Sequence, residues 1–268
     1  MSAGNIHLEA KDHVAILTLD RPEKRNALDA QMFTGLEAAV GKLKASLPRA
    51  LVLTGNGKAF CAGFDVHPDN PMNEHMLQAA AEKDTSLALK SIGRIREVAD
   101  ALMALPIPIV AALNGLAFGG GAEIAVRCDL RVMDPDAVIC FSETRLGLMP
   151  DFGGTPSLVR LVGPSVATDL ILTARRVTAP EALDLSLVNR VSTPGKALDE
   201  AVALAKTIAG NGPKAVRAAL EVIRKSPDMP LEDALALELK KAVDLVASGE
   251  FIYGVSAFLE KKPPEFPD

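Results

Sequence analysis

One stretch limits what this chain can fold into more than any other: residues 107–129, IPIVAALNGLAFGGGAEIAVRCD. Prolines on one side and Asn114-Gly115 on the other bound a short apolar run, residues 107–113, which reads as a buried strand. The chain then reverses and reaches Gly119, Gly120 and Gly121. Residues 122–128 read as a helix, so these glycines fall at its N-terminus. There the backbone N–H groups have no partner inside the helix and favour negative charge. Glycine matters at this place because a residue without Cβ lets the backbone approach a bound group closely. Glu123 follows Gly120 by three residues, which sets a carboxylate on the same helix face. Taken alone, three glycines and a glutamate also describe a packed helix with one solvated acid.

A second stretch sharpens the reading. Residues 55–66, GNGKAFCAGFDV, follow the apolar run 50–54 and again set small residues, Cys61, Ala62 and Gly63, just after a strand. Two such turns can each offer one N–H to the same oxygen, which is how an oxyanion hole is built.

The 268 residues are enough for a sizeable core, as one domain or one domain with an appendage. With no Trp, one Tyr and nine Phe, that core must be built mainly from Ala, Leu, Val and Ile. A net charge of −5, with Lys and Arg scattered, gives no footprint for nucleic acid or an anionic membrane. Cys61, Cys128 and Cys140 lie far apart in apolar stretches and read as buried thiols of a reducing compartment. The first residues show no basic and apolar leader, and no segment reaches 18 uninterrupted apolar residues. A cytoplasmic, non-membrane protein is expected.

In chain order, residues 14–19 read as a strand ended by Pro22, and residues 21–28, RPEKRNAL, as a polar loop. Asp29 caps a helix with Met32, Leu36, Val40 and Leu43 at helical spacing, stopped by Pro48. Residues 51–53 form the next strand, so the order strand, helix, strand argues for an α/β layer architecture. Residues 67–84 are polar and read as a surface excursion, either flexible or a mobile wall over a ligand. His67 and His75 there lack partners at ligand spacing, so no metal is expected. A long helix fits residues 85–105, with Ile92, Ile95, Val98 or Ala99, and Leu102 as its apolar stripe. Strands are expected at 130–133 and 138–141, and then a Gly- and Pro-rich turn bracketed by Glu143 and Asp151. Helices are expected at 164–173, 180–187, 196–209, 213–224, 231–247 and 251–259, with a short strand near 188–191. The chain thus divides into an α/β body, residues 1–195, and a helical region, residues 196–268.

Taken together, the segments RPEKRNALD, GNGKAFCAGFD, LNGLAFGGGAEIAVRCDLRV, SETRLGLMPDFGGT, ILTARRVTAPEALDLSLVNRV and FLEKKPPEF, in this order, resemble the crotonase, or enoyl-CoA hydratase/isomerase, superfamily over nearly the whole chain. The resemblance implies a spiral of ββα units with two roughly perpendicular sheets. It implies a C-terminal helical region that drives trimer formation, often as a dimer of trimers, and a coenzyme A thioester as substrate with no separate cofactor. By motif match, the N–H groups of Ala62 and Gly120 polarise the thioester carbonyl. Arg25, Asn26, Ala27 and Leu28, with Ala62, Gly63, Phe64 and Asp65, hold the coenzyme A portion beside Gly119 and Gly120. Lys261 or Lys262 serves its phosphates.

Three positions vary in such sites, and here all are acidic. Glu123 and Glu143 match the paired glutamates of enoyl-CoA hydratases, with Glu123 assigned to water activation and Glu143 to protonation of Cα. Asp151 departs from the glycine usual in hydratases. With Glu143 it matches the acidic pair of dienoyl-CoA isomerases, which leaves double-bond isomerisation as the alternative; as a plain turn cap Asp151 has no chemical role. A dehalogenase would need an aromatic clamp that this aromatic-poor chain does not offer, and Ser142 has no evident His partner for peptide hydrolysis. A non-catalytic RNA-binding or scaffold role, known among such relatives, runs against the acidic balance and both glutamates. Like charges in one partly dry pocket should leave at least one carboxyl with a raised pKa.

Overall fold

The computed structural model describes residues 2–3 and 5–267. Its larger sheet holds β1 (Ser2–Ala3), β2 (Ile6–Lys11), β3 (Val14–Leu19), β4 (Ala50–Gly55), β6 (Ile109–Leu113), β8 (Leu130–Met133) and β11 (Arg190–Val191), side by side in that order. From β3 onward the neighbours run parallel, while β2 and β3 form an antiparallel hairpin. That hairpin turns on Asp12 and His13, both with positive φ (51° and 64°), the conformation a two-residue turn needs to match strand twist. The smaller sheet holds β5 (Ala59–Cys61), β7 (Leu116–Phe118), β9 (Val138–Cys140) and β10 (Val177–Thr178), in the order β10-β9-β7-β5.

These two sheets come from one repeated move. A strand enters the large sheet, the next enters the small one, and a helix returns. β4 and β5 precede α2 (Met72–Glu82) and α3 (Thr85–Met103), β6 and β7 precede α4 (Gly120–Arg127), and β8 and β9 precede α5 (Gly154–Thr173). Before this spiral stands α1 (Ala30–Ala45), and after it come α6 (Ala179–Asp184), α7 (Ala197–Ala209), α8 (Pro213–Lys225), α9 (Leu231–Ala247) and α10 (Glu250–Leu259). The two-sheet ββα spiral expected from the sequence is therefore present.

Alternation along the parallel strands explains their burial on both faces. Leu51, Leu53, Ile109, Ala111, Leu113 and Met133 face the main core, while Ala50, Val52, Val110, Ala112 and Val132 face Ala201, Ala205 and Ala209 of α7. Small side chains on both partners let α7 lie flat on the sheet. The exposed apolar residues gather farther along the tail: Leu231, Leu235, Leu239, Val243 and Val246 on α9, and Phe251, Ile252, Val255, Phe258 and Leu259 on α10. No residue of α9 is buried.

The excursion at residues 67–84 is more ordered than the sequence suggests, because half of it is α2. Asn70 and Asn73 donate to the carbonyl of Asp65 at 2.7 and 3.2 Å, and Asn73 also to that of His67 at 2.7 Å. The helix expected at 164–173 is the second half of α5, which breaks at Gly163 (φ 77°, ψ 165°) before Pro164. Its first half hides in the sequence behind Gly153, Gly154 and Pro156, which read as turn.

Gly121 lets α4 pack directly on β5. A Cβ on Gly121 would stand 2.3 Å from the carbonyl oxygen of Cys61 on β5, a backbone atom that cannot swing aside. Gly121→Ala should therefore destabilise by about 3 kcal/mol, read as a Tm lower by roughly 6–12 °C in a thermal melt.

Candidate active site

The site forms where β5, β7 and β9 meet the start of α4. Gly63, with φ at +88°, packs so tightly here that a Cβ on it would lie 2.8 Å from Phe118 O and 2.9 Å from the amide nitrogen of Gly120. The turn after β5 and the turn after β7 are thus in contact, as the two-turn reading requires.

The structure corrects which amide of the first turn is available. Ala62 N–H donates to the carbonyl of Arg25 at 3.0 Å, so it is already spent on joining the two loops. Gly63, between Ala62 and Phe64, has a positive φ (+88°), so the peptides on its two sides are not oriented as in a regular strand. Leu28 and Phe64 pair as an isolated parallel bridge, in which Leu28 N–H donates to Gly63 O and Asp65 N–H to Leu28 O. Phe64 N–H is left without a partner among the described residues. Gly120 opens α4 and its N–H belongs to the unbonded first turn. The unpartnered pair is therefore Phe64 and Gly120. No period or motif in the sequence separates residue 62 from 64; only the through-space bonds do.

Aromatic packing fixes this pair from behind. Phe33 of α1 lies between Phe64 and Phe152, with ring centroids 6.5 and 6.1 Å away, and a Cβ on Gly120 would stand 3.0 Å from the ring of Phe152. Few as the aromatics are, three of them back the site.

All three acids converge. Glu123 is fully buried on α4. Its Oε1 accepts from Asp151 N–H at 3.1 Å and its Oε2 from Gly154 N–H at 2.8 Å, and a Cβ on Gly154 would collide with its Cγ at 2.4 Å. Glu143 lies on the 3₁₀ turn Glu143–Leu146, is 9% exposed, and among the described residues its carboxyl meets only that of Glu123, with which it can share a proton, and no N–H donor. Its Oε1 lies 3.5 Å from where a Cβ of Gly119 would be, beside the helix N-terminus.

Burial pushes Glu123 up to about 8, with Glu143 and Asp151 adding to the shift. Glu143 is raised as well, by burial first and then by the charge of Asp151. The two titrate as a pair that keeps one proton into the neutral range. Asp151, half-buried, is also raised by burial, against which Arg96 acts. A carboxyl whose folded pKa exceeds its unfolded one stabilises the fold fully below the unfolded value and loses that contribution as pH rises through the folded one. Glu143→Gln should therefore raise Tm at pH 8 by a few degrees, on the order of 1 kcal/mol, and the gain should vanish near pH 4.

The segments expected to hold coenzyme A lie against one another, yet several of their side chains are committed inside the protein. Asn26 is fully buried; its Nδ2 donates to Asn56 O and Ala59 O at 3.0 and 2.8 Å, and its Oδ1 accepts from Arg21 N–H at 2.8 Å. Leu28 is fully buried. Asp65 accepts from Arg21 Nη1 at 2.6 Å and from His67 N–H at 3.0 Å. What these segments present outward is backbone and the exposed Arg25 and Lys24. Ala27 is buried, and Ala62 is half-buried.

Lys261 and Lys262 are not brought to this site within one chain. The tail that carries them is tied at Phe266, whose carbonyl accepts from Arg49 at 2.7 Å. Arg49 precedes β4, whereas residues 62–65 follow that strand's far end. Lys262 pairs instead with Glu260 at 2.6 Å. Among the described residues no three His, Cys, Asp or Glu side chains are grouped to hold a metal, and all three cysteines are buried and unpaired.

Residues 9–268 match the family model described as enoyl-CoA hydratase/isomerase. The short-chain-enoyl-CoA hydratase of Clostridium acetobutylicum is 34% identical over 99% of this chain and 98% of its own length. The 2,3-dehydroadipyl-CoA hydratase of Escherichia coli is 35% identical over 96% of each. The crystal structure of an enoyl-CoA hydratase from Bacillus anthracis superposes with a TM-score of 0.89 at 33% identity, covering 98% of both chains. The chain thus belongs to the enoyl-CoA hydratase/isomerase family of enzymes, within the crotonase superfamily.

Proposed function

We propose that this enzyme adds water in the syn sense across the double bond of a trans-2-enoyl-CoA to give a 3-hydroxyacyl-CoA. The observation that carries the reading is the unequal environment of two buried glutamates beside two unpartnered amides. Phe64 N–H and Gly120 N–H receive the thioester oxygen and stabilise the enolate that forms as water attacks Cβ. Two N–H donors converge on Glu123 and offset part of the burial that raises it, so when the pair's shared proton sits on Glu143, Glu123 is the ionised member that takes the proton of the attacking water. Glu143, which shares that proton with Glu123 and has no N–H donor to favour its anion, gives it to Cα. The water's remaining oxygen and hydrogen become the 3-hydroxyl, and the two carboxyls exchange a proton to reset.

Coenzyme A lies along residues 25–28 and 62–65, held by backbone groups and the exposed cation of Arg25. We assign the apolar faces of α9 and α10 to packing between copies, as a trimer or a dimer of trimers. In that assembly Lys261 and Lys262 serve the phosphates of a neighbouring copy's substrate.

The isomerase reading, with Glu143 and Asp151 shuttling a proton, draws on one observation: the carboxyl of Asp151 is raised by burial in the same cluster. The separating experiment is product analysis by mass spectrometry after incubation with trans-2-enoyl-CoA and with trans-3-enoyl-CoA in heavy-oxygen water. Hydration puts one labelled oxygen into the product from the 2-enoyl substrate, and Asp151→Asn keeps at least a third of that rate. Double-bond migration without label, abolished by Asp151→Asn, would establish the isomerase instead.

A further inference from the structure

The helix that carries Glu123 ends one turn later in Arg127, and the two side chains, four residues apart on one face, grip the same turn. Glu123 accepts the N–H groups of Asp151 and Gly154. Arg127 Nη1 donates to the carbonyl of Phe152 at 2.5 Å. Its guanidinium also lies against Gly153, which has φ at +92°, so closely that a Cβ there would stand 3.1 Å from Cζ and from Nη1. Amides and a carbonyl of residues 151–154 are thus held at once by an anion and a cation from one helix. On its other side, Arg127 Nη2 donates to Asp100 Oδ1 at 2.5 Å, and that oxygen also accepts from Arg96 Nε at 2.8 Å. Asp100 and Arg96 both belong to α3, so the turn is braced from a second element. Only 13% of the Arg127 side chain is exposed, against 46% for Asp100.

We propose that Arg127, anchored by Asp100, is a positioning residue that sets turn 151–154, and through it the carboxylate of Glu123. The inference rests on the reading of Glu123 as the base. Two adjacent glycines, Gly153 and Gly154, give this turn little stiffness of its own. A displacement near 1 Å in such a constellation is enough to cost about a hundredfold in rate. The segments assigned to coenzyme A lie elsewhere, so binding is largely spared.

The test is a pair of double-mutant cycles on the full chain, with kcat and KM for crotonyl-CoA and Tm measured for each variant. Arg127→Ala should lower kcat ten- to hundredfold with KM changed less than threefold. Asp100→Asn, which leaves Arg127 in place, should lower kcat three- to tenfold and decides the matter if Arg127→Ala does not fold. In a Glu123→Gln background either change should cost less than a further twofold, because its route to the chemistry is already gone. Wild-type kcat in Arg127→Ala, or the same fold-loss repeated on Glu123→Gln, would overturn the proposal. Full activity of Glu123→Gln alone would overturn the base assignment beneath it.

Discussion

Glu123→Gln and Glu143→Gln should each lower kcat for hydration of crotonyl-CoA by about a thousandfold, within the range general acid and base groups supply. KM should change less than threefold, because neither carboxyl hydrogen-bonds the segments assigned above to coenzyme A. The two losses differ in kind. Glutamine at 123 keeps an acceptor oxygen for one of the two N–H donors from Asp151 and Gly154 but cannot take a proton from water. Glutamine at 143 fills a place that no N–H donor reaches but has no acidic proton for Cα. The double variant should be scarcely slower than either single one, since acid and base act as a unit on one water. Steady-state kinetics of the three variants reads this directly, and a surviving rate in Glu143→Gln would remove the acid from the scheme.

Gly120→Ala should lower kcat/KM by a hundredfold or more, the usual cost of losing one oxyanion donor. The cause is steric. The added carbon would meet Cζ, Cε1 and Cε2 of Phe152 at 3.0–3.2 Å, and that ring is buried against Phe33. Either the ring or the Gly120 peptide must shift. Trimming the ring should relieve the strain, so Gly120→Ala with Phe152→Leu should recover part of the lost activity at some cost in Tm. A substitution that acted only by blocking substrate would raise KM instead and gain nothing from the second change.

The parts of the fold legible in the sequence were those long enough to carry a period. Apolar runs at β3, β4 and β6 and the stripes of α1 and α3 declare themselves because a strand or helix repeats its burial every two or three to four residues. β5, β7 and β10 run three residues or fewer, too short for any period, and the hairpin strand β2 carries charge on its exposed face. The glycine runs and the three acids stood out because glycine allows close backbone approach and carboxyls are costly to bury without a partner, and the fold brings them together. What the sequence left hidden depends on backbone direction and on distant contacts. The choice between Ala62 and Phe64 turns on the φ of Gly63, and the grip of Arg127 on Phe152 O spans 25 positions.

The central claim is that the peptide N–H of Phe64, and not that of Ala62, joins Gly120 in holding the thioester oxygen. Replacing the peptide linkage before Phe64 by an ester, through incorporation of the α-hydroxy analogue of phenylalanine, removes that hydrogen and nothing else of the side chain. The account predicts that kcat/KM for crotonyl-CoA falls by about a hundredfold or more, while the matching ester at position 62, which only weakens a bond to Arg25 O, changes it less than fivefold. Full activity with the Phe64 ester, or the larger loss at position 62, would contradict it.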